Sequence, residues 1–491
     1  MKKSLIYIVP IYIVIYLFTP SLLNATPTSN SSSADLLTAN STTAEPVVMT
    51  LDDCINQALN KNSQLIIAKE NQSIAESATG EAWSTVFPKL TLEYSISRIS
   101  SLMQSKQFGS IGDIFSDLLP TGTVLPDTLF PDYFDTYSLK LSVSQVIFGT
   151  HVLPVLDASK YGLQLAKELY TSQENTTIFQ TKQAYYNVLK AEALYKAGLE
   201  NYHYLNKLIT LTKEMVNVGV ATKSDLLRQQ VQLKAIEQSL LSLKHNFQLA
   251  KAHLNITLNN PIDTELKLED NALNTCNHIN SLDYNQFRVF SEKNRPEIKA
   301  MDYQVDLYKT QVAVTESKGL PSVYLSGYFG LADQVSGLDW DKDQDWMVSV
   351  AAQWLIFDGN EVQSQVRAAR SDVKKSQEER NSIVLNVLFE TKMALDSLKL
   401  AYNQIGAAKA EVEFAFENSK TAQERFSSGT ATNLELLDSQ TALLQAKAHW
   451  INAKYDYQIA KAKLQQVIGT DQETLEALIK GDLEPDKGES E

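Results

Sequence analysis

Cysteine, histidine and long apolar runs are all scarce in this chain. Its only two cysteines, Cys54 and Cys276, form no CxxC or other metal-ligand spacing, so neither a zinc site nor a disulfide framework is indicated. They could pair only if the fold brings them together. The six histidines, His151, His203, His245, His253, His278 and His449, are scattered, and none belongs to an HExxH pair. No Walker-type loop and no GxSxG elbow occurs, so an enzyme is not indicated, no cofactor or metal is expected, and energy for any transport has to come from a partner. Asp339, Asp341, Asp343 and Asp345 alternate like the start of a calcium loop, but the glycine and distal glutamate that complete one are missing, and they read as a solvated acidic loop. Basic residues are in the minority: 44 Lys and Arg against 58 Asp and Glu give a net charge of -14, which repels nucleic acid.

The one sustained apolar run, Leu5 to Phe18, follows Lys2 and Lys3, is interrupted by Pro10, and precedes a polar stretch around Asn24-Ala25-Thr26. It falls short of the roughly 20 residues that span a bilayer, and reads as a secretory signal peptide over 1–25, with a transmembrane anchor as the competing reading. The mature chain is then expected outside the cytoplasm. Thr26 to Pro46, rich in Ser, Thr, Asn and Ala, reads as a disordered lead-in. No other segment suits a transmembrane helix, so membrane insertion would have to use strands.

What the sequence has in quantity is repetition. Asn62-Ser63-Gln64-Leu65 lines up with Arg295-Pro296-Glu297-Ile298, and Phe87-Pro88 with Leu320-Pro321, at an offset of 233 residues. Val218-Gly219-Val220-Ala221-Thr222 matches Ser428-Gly429-Thr430-Ala431-Thr432, and Ala250 to Leu254 matches Ala460 to Leu464, at an offset of 210. The halves are one duplicated unit, and the excess in the first half falls in the Gly-, Pro- and Asp-rich stretch Ser100 to Thr136. Within each half Leu226, Leu233, Leu240, Phe247 and Leu254, and again Leu436, Leu443, Trp450, Tyr457 and Leu464, recur every seven residues. Companions three positions on, Ile236, Leu243 and Ala250 or Ala446, Ala453 and Ala460, complete the seam of a coiled coil. Long helices therefore fold back at Gly219 and Gly429 into antiparallel hairpins, and the stretch from about Leu153 to Val216 predicts a helix of ~60 residues, ~90 Å long at 1.5 Å per residue. The organisation expected is a signal peptide (1–25), a linker (26–46), a first repeat (47–270), a second linker (271–290), a second repeat (291–470) and an acidic tail (471–491).

Between the helices lie four segments of period two. Leu90, Leu92, Tyr94 and Ile96 alternate with polar residues, as do Tyr137, Leu139, Leu141 and Val143; Val323, Leu325 and Phe329; and Trp346, Val348, Val350 and Trp354. Each is ~10 residues, the length of a tilted membrane strand. A β-sandwich would give the same alternation, and a soluble coiled-coil stalk the same heptads. Four strands cannot close a membrane barrel, for which ~8 is the practical minimum, so a barrel needs several copies: two chains give eight strands, three give twelve.

The order helix, strand, strand, long hairpin, performed twice, resembles the TolC-like outer-membrane efflux proteins. The stretches that carry the resemblance are Leu51-Asp52-Asp53-Cys54-Ile55 through Ala58-Leu59, Arg295-Pro296-Glu297-Ile298, Leu320-Pro321, Phe357-Asp358-Gly359 and the two Gly-turn motifs. The resemblance implies an α+β membrane protein: a trimer whose twelve-stranded β-barrel, four strands per chain, is continuous with a periplasmic α-helical barrel of antiparallel coiled coils. It also implies a passive exit duct in the outer membrane, surrounded by its lipid, with a periplasmic adaptor and an inner-membrane pump as partners. Two acidic residues three apart after the second turn would narrow the tunnel, and here these fall on Glu435 and Asp438. Spacing of three puts both carboxylates on one helix face, although Glu435 near a helix start also suits the helix dipole alone. The family's gate is held shut by a Tyr and an Arg bonded to an Asp. Asp225 matches that Asp, but the Tyr and Arg positions fall on Phe426 and Ala431, which can make no such bond. An apolar gate involving Phe426, or a link placed elsewhere, is then expected.

Overall fold

The structure, a computed structural model, describes residues 48–100, 133–270, 279, 282–333, 344–470 and 472–480. The expected signal peptide and lead-in, Cys276, and Asp339, Asp341 and Asp343 lie outside the described residues, as do 481–491 of the expected tail. In chain order the elements are β1 (Val48–Met49), α1 (Leu51–Lys61), α2 (Ser63–Ser84), β2 (Lys89–Ser100), β3 (Tyr133–Gly149), α3 (Val152–Asn217), α4 (Lys223–Thr257) and β4 (Lys267–Leu268). The second half repeats them as α5 (Tyr284–Asn294), α6 (Pro296–Ser317), β5 (Ser322–Asp333), β6 (Gln344–Gln353), α7 (Glu361–Ser427) and α8 (Asn433–Ile468), followed by α9 (Gln472–Lys480).

The duplication is metrical. Helices α1 and α5 each have 11 residues, α2 and α6 each 22, α3 and α7 have 66 and 67, and α4 and α8 have 35 and 36. It extends to single bonds. Asn62 Nδ2 donates to the Thr257 carbonyl at 3.0 Å, and Arg295 Nη1 donates to the Val467 carbonyl at 3.0 Å, at the same offsets that relate the sequences. Where α4 and α8 end, the corresponding residues Asn259 and Gly469 both take positive φ, a conformation open to Asn and Gly.

The two long helices run the length of the helical layer. Near the sheet they pack against α2 and α6; further away they pair with α4 and α8, and α8 also lies against α3. Gly198 of α3 sits where a Cβ would come within 2.8 Å of Leu243 in α4, so the hairpin closes tightly there for want of a side chain. Short elements thicken the middle. Cys54 and Ala58 of α1 enter a core with Tyr185, Val188 and Leu254, while Phe287 of α5 joins Leu395, Leu398, Tyr457 and Leu464. Cys54 is free and fully buried, and burial pushes its thiol from the ordinary 9.0 up to about 12.

Two expected boundaries differ. Helix α5 opens at Tyr284, inside the stretch read as a linker (271–290), because Phe287 anchors it to the second core as Cys54 anchors α1 to the first. Likewise 472–480 of the stretch read as an acidic tail forms α9, whose Leu475, Leu478 and Ile479 are buried in that same core. An amphipathic turn hidden among charges carried no signal in composition alone.

Candidate functional site: an apolar sheet face and two helical tips

Strands β2, β3, β5 and β6 form one antiparallel sheet in the order β2-β3-β5-β6. Its register aligns the alternating residues in rows. Leu92 faces Leu141, Leu141 faces Phe329 and Phe329 faces Trp346; a second row runs Leu90, Val143, Gly327, Val348. That face is bare to its surroundings, with Leu92 69% and Trp346 70% exposed, and Val348 and Val350 similarly open. A contiguous apolar surface of this kind is out of place in water. Its far end is marked by a bidentate ion pair, Arg98 to Asp135 at 2.7 and 2.8 Å. The opposite face carries hydroxyls, and the cross-strand pairs Ser95–Ser138 and Ser326–Ser349 are hydrogen bonded at 2.7 and 2.8 Å. Strand β3 runs past the expected Tyr137–Val143 in both directions, and a bulge at Ile147 shifts its register against β5. The outer strands β2 and β6 each pair, among the described residues, on one side only. Among the described residues no helix is long and apolar enough to cross a membrane.

At the other end of the long helices lie the two tips. Gly219 (φ 80) and Gly429 (φ 75) hold the left-handed position that ends α3 and α7. The amides of the residues that follow, Val220 and Thr430, each donate back to the helix at 2.8 Å, closing a Schellman turn. Thr222 and Thr432 then cap the returning helices. In the first tip the Asp225 carboxylate accepts from the Thr222 hydroxyl at 2.6 Å and amide at 3.2 Å, a complete capping box. In the second, Thr432 accepts from the Glu435 amide at 3.2 Å, but the Glu435 carboxylate turns to Arg425, 3.7 Å away across the tip. Asp438 is exposed beside it.

Phe426 is buried against Leu205, Leu208, Ile236 and Leu436, with Ala431 beside them, so it belongs to the core that joins the two hairpins. The polar link between the tips lies elsewhere. Gln229 Nε2 donates to Asn433 Oδ1 at 2.7 Å and to Thr212 Oγ1 at 2.9 Å, and Asn433 Nδ2 donates to the Asp225 carbonyl at 3.1 Å. Gln229 is fully buried, and its Oε1 has no partner among the described residues. Sequence reasoning passed over Gln229, Asn433 and Arg425. For Gln229 a signal existed: it stands one heptad before Ile236, a polar residue in an apolar seam, the usual mark of a register-fixing contact.

An open sheet that is apolar on one face and hydroxylated on the other, joined to duplicated helical hairpins, defines a class of protein: a protomer of an outer-membrane channel, not an enzyme. The pattern of the family described as outer membrane efflux protein matches residues 54–260 and 291–470, and the chain belongs to that family. It is 22% identical over 394 residues to the outer membrane protein TolC of Escherichia coli, covering 76% of this chain and 79% of that one. It is 21% identical over 346 residues to the alkaline protease secretion protein AprF of Pseudomonas aeruginosa, covering 68% and 70%. Among solved structures, the CmeC outer membrane channel of Campylobacter jejuni superposes with a TM-score of 0.69 at 19% identity, covering 85% of both chains. The open state of the Neisseria gonorrhoeae MtrE channel gives 0.67 at 18% identity, covering 86% of this chain and 89% of that one. The fold is the TolC-like one, and the protein's place is the outer membrane.

Proposed function

We propose that three copies of this chain close their sheets into a twelve-stranded barrel continuous with a periplasmic helical tunnel. The assembly is a passive exit duct, fed by an inner-membrane pump through a periplasmic adaptor, in a tripartite efflux or type I secretion system. The observation that carries this is the sheet, whose exposed face is apolar and whose outer strands β2 and β6 lack a second partner among the described residues. In lipid an unpaired strand edge leaves backbone groups unsatisfied, so neighbouring copies must pair β6 to β2. Twelve strands suit the sequence better than eight, since an eight-stranded interior is just wide enough for its own side chains and would leave no passage.

Glu435 and Asp438 are then the aperture residues: three copies bring six carboxylates around the tunnel mouth, a ring that draws cations and binds multivalent ones. Phe426, Asp225 and the turns at Gly219 and Gly429 shape the closed tip, with the Gln229–Asn433 link holding the second hairpin to the first. The experiment is reconstitution of the purified full chain in a planar bilayer, with chemical cross-linking beside it. Discrete cation-selective conductance steps and a cross-linked trimer are expected; a water-soluble protein that gives no conductance would be a coiled-coil stalk instead.

A further inference from the structure

We propose that Glu93, Lys140 and Asp345 form a charged belt on the lumenal face of the barrel, a second level of ion discrimination separate from the helical tips. The proposal rests on the sheet being part of a closed barrel. Register places the three in one row: Glu93 pairs with Lys140, Lys140 with Gly330, and Gly330 with Asp345. All three project on the hydroxyl-bearing side. Two residues nearer the helices the row is Thr91, Ser142, Tyr328 and Met347, and two residues further out it holds Ser95, Ser138 and Ala332. Apart from Lys89 at the helical end of β2, these three are the only charged side chains on that side of the strands among the described residues.

The belt is built, not merely composed. Lys140 Nζ lies 3.9 Å from the centre of the Tyr328 ring, and Tyr328 Oη donates to Asp345 Oδ2 at 2.8 Å. The ammonium, the ring and the carboxylate thus fix one another across three strands. Gly330 occupies the intervening place in the row, where a Cβ would come within 2.9 Å of the Leu139 carbonyl. Each copy contributes two carboxylates and one ammonium, so a ring of three carries an excess of negative charge. Because barrel strands tilt, these rows form inclined arcs around the wall. A charge on the wall acts over about 8 Å at physiological ionic strength, so permeating ions in the lumen sense it.

The test is the potassium to chloride permeability ratio of the reconstituted full-length channel under a salt gradient, with Glu435→Gln/Asp438→Asn as the background so that the tips do not dominate. Glu93→Gln/Asp345→Asn should lower the ratio about twofold, and Lys140→Gln should raise it by a similar factor. Channels that open normally with unchanged ratios in both variants overturn the belt. If the double variant fails to insert, Lys140→Gln decides alone, and an unchanged ratio there overturns the proposal too. Absence of conductance from the unaltered protein would instead remove the barrel reading on which the belt stands.

Discussion

The two helical tips share a backbone and differ in what their carboxylates do. Both turn through a glycine at positive φ and both restart their helix from a threonine. In the first, Asp225 spends its carboxylate on Thr222; in the second, its counterpart Glu435 leaves the cap and faces Arg425. Three residues further on, Arg228 stands in the first tip where Asp438 stands in the second. Duplication kept the turn geometry while the second copy released one acid from its cap, Glu435, and carries a further one, Asp438. One tip spends its acid inside its own cap, and the other holds its acids exposed at the surface, Glu435 beside Arg425.

That contrast can be broken in several ways. The largest effect is expected at Phe426→Ala, which should lose about 3 kcal/mol or more because a large buried ring is removed from the joint between the hairpins. The corresponding Val216→Ala in the first tip should lose only about 1 kcal/mol, since Val216 is half-buried. Denaturant melts of the two variants compare the joint directly, and equal losses would erase the asymmetry. An unchanged conductance in Phe426→Ala would also count against a role for this ring in the closed tip. Next comes Gln229→Ala, which strands Asn433 Oδ1 and Thr212 Oγ1 in the interior and should cost about 2 kcal/mol. It should also raise single-channel conductance, and a variant with wild-type conductance would show that this link does not hold the tips.

A smaller effect, roughly tenfold, is expected on block by a multivalent cation in Glu435→Gln/Asp438→Asn, with none in Asp225→Asn. Equal responses from both would mean that the freed carboxylates have no special place. The smallest effect concerns the two cores. Burial raises the Cys54 thiol, so the neutral form is favoured by folding; its contribution is fully present below pH 9.0 and declines only as pH rises toward about 12. With Cys276→Ala in the background, Cys54 should therefore resist thiol reagents at pH 8 until the protein unfolds, and prompt labelling of the native protein would show that this core opens.

The long helices, the four strands and the duplication were readable because each repeats a simple period many times. Leu226 to Leu254 states its heptad five times, and the alternation at Leu90 to Ile96 or Trp346 to Val350 allows one sheet face only. Single contacts are another matter. Nothing local in Asn433 says that it reaches a glutamine some 200 residues away, a bond of sequence separation 204 that exists only once both hairpins lie side by side. The pairing of Glu435 with Arg425 was equally hidden, because Thr222-x-x-Asp225 and Thr432-x-x-Glu435 have the same capping-box spacing and only the first is closed. Helix α9 escaped for the opposite reason: Leu475, Leu478 and Ile479 make too short a stripe to stand out from an acidic end.

The matched lengths of the two halves, within one residue for every pair of helices, make the protomer a ruler with two legs. Both legs stand on the same sheet and must reach the same plane. Removing a heptad from α7 alone would leave its tip a turn or two short of its twin, about 10 Å at 1.5 Å per residue. An engineered shorter or longer duct therefore has to be cut in four places at once, equally in both halves, or its mouth will not be level.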